Sequence, residues 1–149
     1  MATTTSTIPA FMDALRSQLL AREGLAGVEV FTGPMGEDTP REAIVLFGTD
    51  ASQEWGAIGN RRRDESYTVE AATWVKRPGA GEAAIKEARD RAFELIGEVE
   101  NQLRTDPKAN GTILKGAVSG MVLLQGIDMD GRWAQVAFTI ACDALLPRS

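Results

Sequence analysis

The chain contains no histidine and a single cysteine, Cys142. The first absence removes Ser-His-Asp and Cys-His triads, imidazole metal ligands and the commonest general base near pH 7. Catalysis by Asp, Glu, Lys and Tyr stays open, with a lower expectation. A single cysteine rules out an internal disulfide and suits a reducing cytoplasm. No apolar run reaches the roughly 18 residues a membrane span needs. Met1 to Thr7 lacks the basic start and apolar stretch of a signal peptide. Residues 1–7 therefore read as a flexible tail, and the chain is expected to stay inside the cell that makes it. A basic excess is missing too: 16 Lys and Arg against 21 Asp and Glu leave a net charge of −5. That balance argues against an autonomous DNA-binding domain, whose affinity comes mostly from neutralised phosphates.

What is present suits one globular domain over residues 8–146. The 149 residues are 44% hydrophobic and 25% charged, enough to bury a core without metal or disulfide. Ile8, Phe11, Met12, Leu15 and Leu19 recur at spacings of three and four, which predicts a helix from Ile8 to Arg22. Thr7 stands as its N-cap, Pro9 in its first turn and Gly24 as its stop. A second helix is predicted over Glu82–Arg104, with Ile85, Ala88, Ala92, Leu95, Ile96, Val99 and Leu103 as its buried stripe. Glu82–Lys86, Glu87–Arg91 and Glu100–Arg104 are spaced as i,i+4 ion pairs along it.

Five segments read as strands. Val28–Thr32 is a short β-branched run. Ala43–Phe47 is apolar throughout, as in a strand covered on both faces. Gly48–Asn60 reads as a loop carrying Trp55 and Ile58. Glu65–Lys76 alternates, with Tyr67, Val69, Ala71, Thr73 and Val75 on one face and Ser66, Thr68, Glu70, Ala72 and Trp74 on the other. Gly116–Ile127 and Trp133–Leu145 form a hairpin about Asp128-Met129-Asp130-Gly131. In its last strand Val136, Phe138, Ile140 and Cys142 share one face. Gln135, Ala137, Thr139, Ala141 and Asp143 share the other, a small and mixed surface suited to another subunit or to water. The order α-β-β-β-α-β-β predicts an α+β fold: a mostly antiparallel sheet of four to five strands with both helices on one face.

Few motifs carry chemistry. Gly79-Ala80-Gly81-Glu82-Ala83-Ala84 fits G-x-G-x-x-A after a strand and at a helix start. Pro78 at the strand exit, the charge of Glu82 and the absence of a following ribose-binding strand favour a plain connecting loop. Asp128-Met129-Asp130-Gly131 resembles the start of a calcium loop, but the glycine and bidentate glutamate positions fall on strand residues near Trp133 and on Thr139. Ser119 lacks G-x-S-x-G spacing and a histidine partner. No cofactor and no metal is expected. Arg61-Arg62-Arg63 is the densest local charge, either a solvated loop end or a contact for an acidic partner or DNA. Trp55 beside it supports a contact, since Trp and Arg concentrate interface energy, with a lid folded back on the core as the equal alternative for this side chain.

Several stretches together carry a family resemblance: Ile8-Pro9-Ala10-Phe11-Met12-Asp13-Ala14-Leu15, Gly24-Leu25-Ala26-Gly27-Val28-Glu29-Val30, Pro40-Arg41-Glu42-Ala43-Ile44-Val45-Leu46, Gln53 to Glu65 and Arg89 to Leu95. The pattern Q-E-W-x-x-x-G-x-R-R-R-[DE]-E is the most specific of them. The chain resembles the tail terminator (tail completion) proteins of long non-contractile-tailed bacteriophages over about residues 8–146. That resemblance implies a structural virion protein without enzymatic activity. It would be assembled in the host cytoplasm as a homohexameric ring that caps the head-proximal end of the tail tube. It would stop tube polymerisation, meet the tail tube protein and the head-tail connector, and let DNA pass through its channel. Six copies, each at −5, would carry −30 formal charges, and acidic channel walls would repel phosphates and let DNA slide. Candidate contacts with sister subunits or partners are Trp55, Ile58, Arg61, Arg62 and Arg63 with Gln135, Thr139 and Asp143. The competing readings are a nucleic-acid-binding accessory protein using Arg61–Arg63, another head-tail connector, or a nucleotide binder at Gly79–Ala84.

Overall fold

The computed structural model describes residues 5–36, 39–55, 62–129 and 131–147, with the backbone alone at 52–55, 62–63 and 147. Helix α1 spans Ile8–Leu20 and buries Phe11, Leu15 and Leu19. It ends two residues before the expected Arg22. Arg22 takes an extended conformation and reaches Glu98 Oε2 at 2.7 Å and Gln102 Oε1 at 3.0 Å on the second helix. Gly24 accordingly lies in a 3-10 turn, Glu23–Leu25, and does not cap α1. A Cβ there would fall 2.4 Å from Glu98 Oε1. Thr7 holds the N-cap position, but its side chain does not cap the helix. Its N–H and hydroxyl both donate to Glu65 Oε1, at 2.9 and 2.7 Å. The end of the expected tail is thus tied to the sheet.

Helix α2 runs Glu82–Thr105 and buries Ala88, Ala92, Leu95, Ile96, Val99 and Leu103, the predicted stripe without Ile85. Of the three i,i+4 pairs expected, Glu100–Arg104 is in contact, at 3.8 Å. The other charges find tertiary or different helical partners: Arg91 meets Glu42 and Glu94, Lys86 meets Asp90, and Glu87 meets Arg77.

The strands are β1 (Glu29–Phe31), β2 (Glu42–Trp55), β3 (Arg62–Arg77), β4 (Lys115–Asp128) and β5 (Gly131–Pro147). They form one sheet in the order β1-β2-β3-β5-β4. The pair β1–β2 is parallel and the other three are antiparallel. The α+β class, the element order and the final hairpin agree with the sequence reading. The loop expected over Gly48–Asn60 does not: Gly48–Trp55 continues β2 and pairs with β3 out to Arg63. Thr49, Asp50 and Ala51 are exposed. A strand with water on both faces shows no apolar alternation, and backbone pairing alone extends it.

Both helices cover one face. Ile44, Leu46, Tyr67, Val69, Val136, Phe138 and Ile140 pack there with α1 and α2 in one core. Thr73, fully buried, donates from its hydroxyl to Ala92 O of α2 at 3.0 Å. Phe11 meets Tyr67 edge-on at 6.1 Å. Two outer strands carry bulges, β2 between Leu46 and Gly48 and β4 between Ser119 and Met121. They lie at one level of the sheet, because Gly48 pairs Glu70, Glu70 pairs Thr139 and Thr139 pairs Ser119. Gly120, the extra residue of β4, has φ +61°, as bulges with glycine often do.

Glu42 joins three elements at the start of β2. It accepts from Arg91 Nε at 3.0 Å and from Arg77, and Arg91 also donates to Gly24 O at 3.0 Å. Burial pushes the Glu42 carboxyl up, but the two guanidinium partners together outweigh it and hold it below its ordinary value. A carboxylate lowered on folding contributes stability above its unfolded value of 4.5 that is lost as pH falls through the folded value. Glu42→Gln should therefore cost about 1–2 kcal/mol at pH 7. Urea melts should show that difference shrinking as the pH is taken below 4.5, the unfolded value.

Candidate functional site

The face opposite the helices carries no element of secondary structure among the described residues. Alternation along β3 and β5 places Ser66, Thr68, Glu70, Ala72 and Trp74 beside Asp143, Ala141, Thr139, Ala137 and Gln135 there. This is the row predicted for the far side of the last strand. The three site residues proposed in it, Gln135, Thr139 and Asp143, share the open face. The others are placed differently. Trp55, Arg62 and Arg63 close the far ends of β2 and β3, with Trp55 paired to Arg63, and their side chains lie outside the description. Ile58 and Arg61 lie outside the described residues altogether.

Chemistry grades along this face. At one end Trp74 and Trp133 stack with centroids 5.2 Å apart and an interplanar angle of 22°. Trp74 Nε1 donates to Pro40 O at 3.1 Å, so the β1–β2 connection is tied to the face at this end. Pro34, Met35, Val45, Phe47, Ala72 and Trp74 line a depression of about 340 Å³. A second, of about 490 Å³, lies where the two bulges face each other, lined by Phe47, Glu70, Gly120, Met121, Val122 and Ala137. Phe47 is 47% exposed, against the expectation that both faces of its strand are covered. Val122 and Leu124 are 60% and 51% exposed. At the other end the surface turns polar. Ser66 Oγ donates to Asp143 Oδ1 at 2.8 Å, and Lys115 Nζ lies 3.6 Å from Asp143 Oδ2.

The reactive groups on or beneath this face are occupied. The Ser119 and Thr139 hydroxyls lie 2.9 Å apart, and Thr139 also donates to Ser119 O at 2.6 Å. Cys142 is buried, and burial with the neighbouring Asp143 charge pushes its thiol up to about 12, the condition of an unreactive cysteine. Burial likewise raises the Tyr67 hydroxyl above its ordinary value, against the hydrogen bond with Thr7. Among the described residues no group of three Cys, Asp or Glu side chains is placed to hold a metal ion. Gly79 and Gly81 both have positive φ and lead into α2. Strand β3 before them is antiparallel to both neighbours, so the parallel unit of a dinucleotide site is not formed. No helix among the described residues is long and apolar enough to cross a membrane.

The sequence reading passed over Phe47, Val122, Leu124, Gly126 and Trp133 as parts of this surface. Counting back from the Asp128–Gly131 turn pairs Gly126 with Trp133. A Cβ at Gly126 would fall 2.2 Å from Trp133 Cζ2, so the glycine lets the indole lie across β4. Signals were available: Trp74 alternates with Ala72, and Met121-Val122-Leu123-Leu124 is apolar on both faces of a single strand.

No family model matches this chain, and no curated protein matches it. Among solved structures it is similar to a chain from the virion of a native gene transfer agent particle. The two share 12% identity with a TM-score of 0.45, over 95% of this chain and 100% of that one.

Gly126→Ala should destabilise the domain by about 1–3 kcal/mol, the usual cost of forcing volume into a packed contact. Denaturant unfolding measures this, and near-UV circular dichroism should lose the signal of the stacked tryptophans.

Proposed function

We propose that this chain is a structural subunit that works by assembly and not by catalysis, and that its assembly is the ring terminating a phage tail tube. One observation carries the first part. A broad apolar sheet face, with Phe47, Val122 and Leu124 about half exposed, is left open on the side away from the helices. Exposed contiguous apolar surface marks interaction sites in soluble proteins. The segment resemblance supports the particular assembly: a homohexamer at the head-proximal end of the tail, between the tail tube protein and the head-tail connector. The acidic net charge of −5 suits a channel through which DNA slides without being held. In this reading the protein needs no cofactor and ends up in the virion.

Electron microscopy of particles assembled without this chain tests the reading. Overlong or headless tails are expected; tails of normal length joined to heads would refute it. Val122→Glu combined with Leu124→Glu should leave subunit stability within about 0.5 kcal/mol, as for exposed positions generally. The same pair should reduce or abolish the oligomer in sedimentation velocity.

A further inference from the structure

Strand β4 is a long edge whose only protections among the described residues are the Gly120 bulge and Lys115 at its start. Among the described residues it pairs with β5 alone; it is 14 residues long, and carries no charge between Lys115 and Asp128 and no proline. Among the described residues, six of the nine exposed large hydrophobics fall between Leu114 and Met129. Natural sheets blunt edges with charges, prolines, short strands or bulges because a bare edge recruits another strand; here the bulge leaves Met121–Asp128 as an uninterrupted stretch beyond it. The opposite side of the sheet is managed differently. There β1 is only three residues long, and its Val30 carbonyl already accepts from Arg16 Nε of α1 at 2.9 Å. Beyond β1, however, the Gly48–Trp55 part of β2 has a partner on one side only, β3, among the described residues.

We propose that the open edge of β4 receives the Gly48–Trp55 segment of a second copy, so that the sheets of neighbouring subunits join into one. The pairing direction follows from the topology. Each of β2–β3, β3–β5 and β5–β4 is antiparallel, so β2 and β4 run opposite ways. Two copies in the same orientation then meet β4 to β2 as an antiparallel pair. The edges also differ in charge. Lys115, 77% exposed, opens β4, and that strand carries no acidic residue before Asp128. The β2 segment brings the exposed acid Asp50 and no base. The contact is heterologous, one surface against a different one, which is the kind that closes into rings. This seam deepens the ring reading above and rests on it for closure.

Cysteine cross-linking of the full-length purified chain tests it, with the buried Cys142 left in place. In a joined sheet the two faces continue from copy to copy. Asp50 lies in the row of Thr68 and Ala141 on the open face. Asp50→Cys should thus form intermolecular disulfides when combined with Ala117→Cys, Ser119→Cys, Val122→Cys or Leu124→Cys, whichever the register brings opposite. It should form none with Val118→Cys or Leu123→Cys, which pack toward the core. A ladder of covalent oligomers with one-face selectivity supports the seam. Dimers formed by Ala117→Cys or Val122→Cys alone would mean that β4 pairs with β4, and would overturn it. Oligomers without a link from Asp50→Cys to any β4 position, or a monomer at every concentration, would overturn it too. Tail length is decided separately: tails of normal length alongside positive cross-links would remove the terminator role and keep the seam.

Discussion

All 16 residues of β3 pair with β5 without a break in register, from Arg62 with Pro147 to Arg77 with Arg132. Neither glycine nor proline interrupts β3, so this pair forms a straight ladder against which the other elements are placed. Helix α2 lies over it, and the hydroxyl of Thr73 fixes the helix by bonding the carbonyl of Ala92. Irregularity is displaced outward, to β2 and β4, where each bulge has room to bend its strand. Because both bulges stand at one level, the bends add up on the open face. The depression lined by Phe47, Gly120 and Val122 is where they meet.

The same arrangement separates the two sides of the sheet by purpose. The helix side is closed by apolar packing, and two buried polar side chains there are paired, Thr73 with Ala92 and Glu65 with Thr7. The open side has its polar groups paired at the Asp143 end and its apolar groups uncovered at the tryptophan end. A lone subunit thus has a complete core together with exposed apolar area that a monomer gains nothing by keeping. The edges repeat the contrast, since β1 has a carbonyl held by Arg16 while β4 meets no second strand among the described residues.

Much of this was legible in the sequence where one face of an element is buried. The three-four spacing from Phe11 to Leu19 and from Ala88 to Leu103 located both helices. Alternation in Tyr67–Val75 and Val136–Cys142 assigned the inner and outer rows correctly. The reading failed where burial does not write a period. Gly48–Trp55 is a strand held by pairing alone, so its polar residues looked like a loop. The parallel contact of β1 has no local signature, because it depends on residues 14 positions away in β2. Helical charge pairs were misassigned because Glu42 and Arg77, remote in sequence, compete for Arg91 and Glu87. Of the candidate contacts, the row containing Gln135, Thr139 and Asp143 followed from period two. The apolar centre did not, since it arises from residues of three different strands.

Strand order has a consequence for how such a chain is made. The strand that follows β4 in the chain, β5, is not at the border of the sheet but between β3 and β4. Until it emerges, β3 lacks its longest partner and β4 has none. The core cannot close before β5 has emerged, because Val136, Phe138 and Ile140 fill its middle. Until then a nascent chain carries two unsatisfied strands with every element before β5 already made, a state exposed to premature pairing between neighbours on one polysome. The sheet is therefore completed by the insertion of a central strand, and the uncharged β4 waits for that step beside whatever other nascent copies are near.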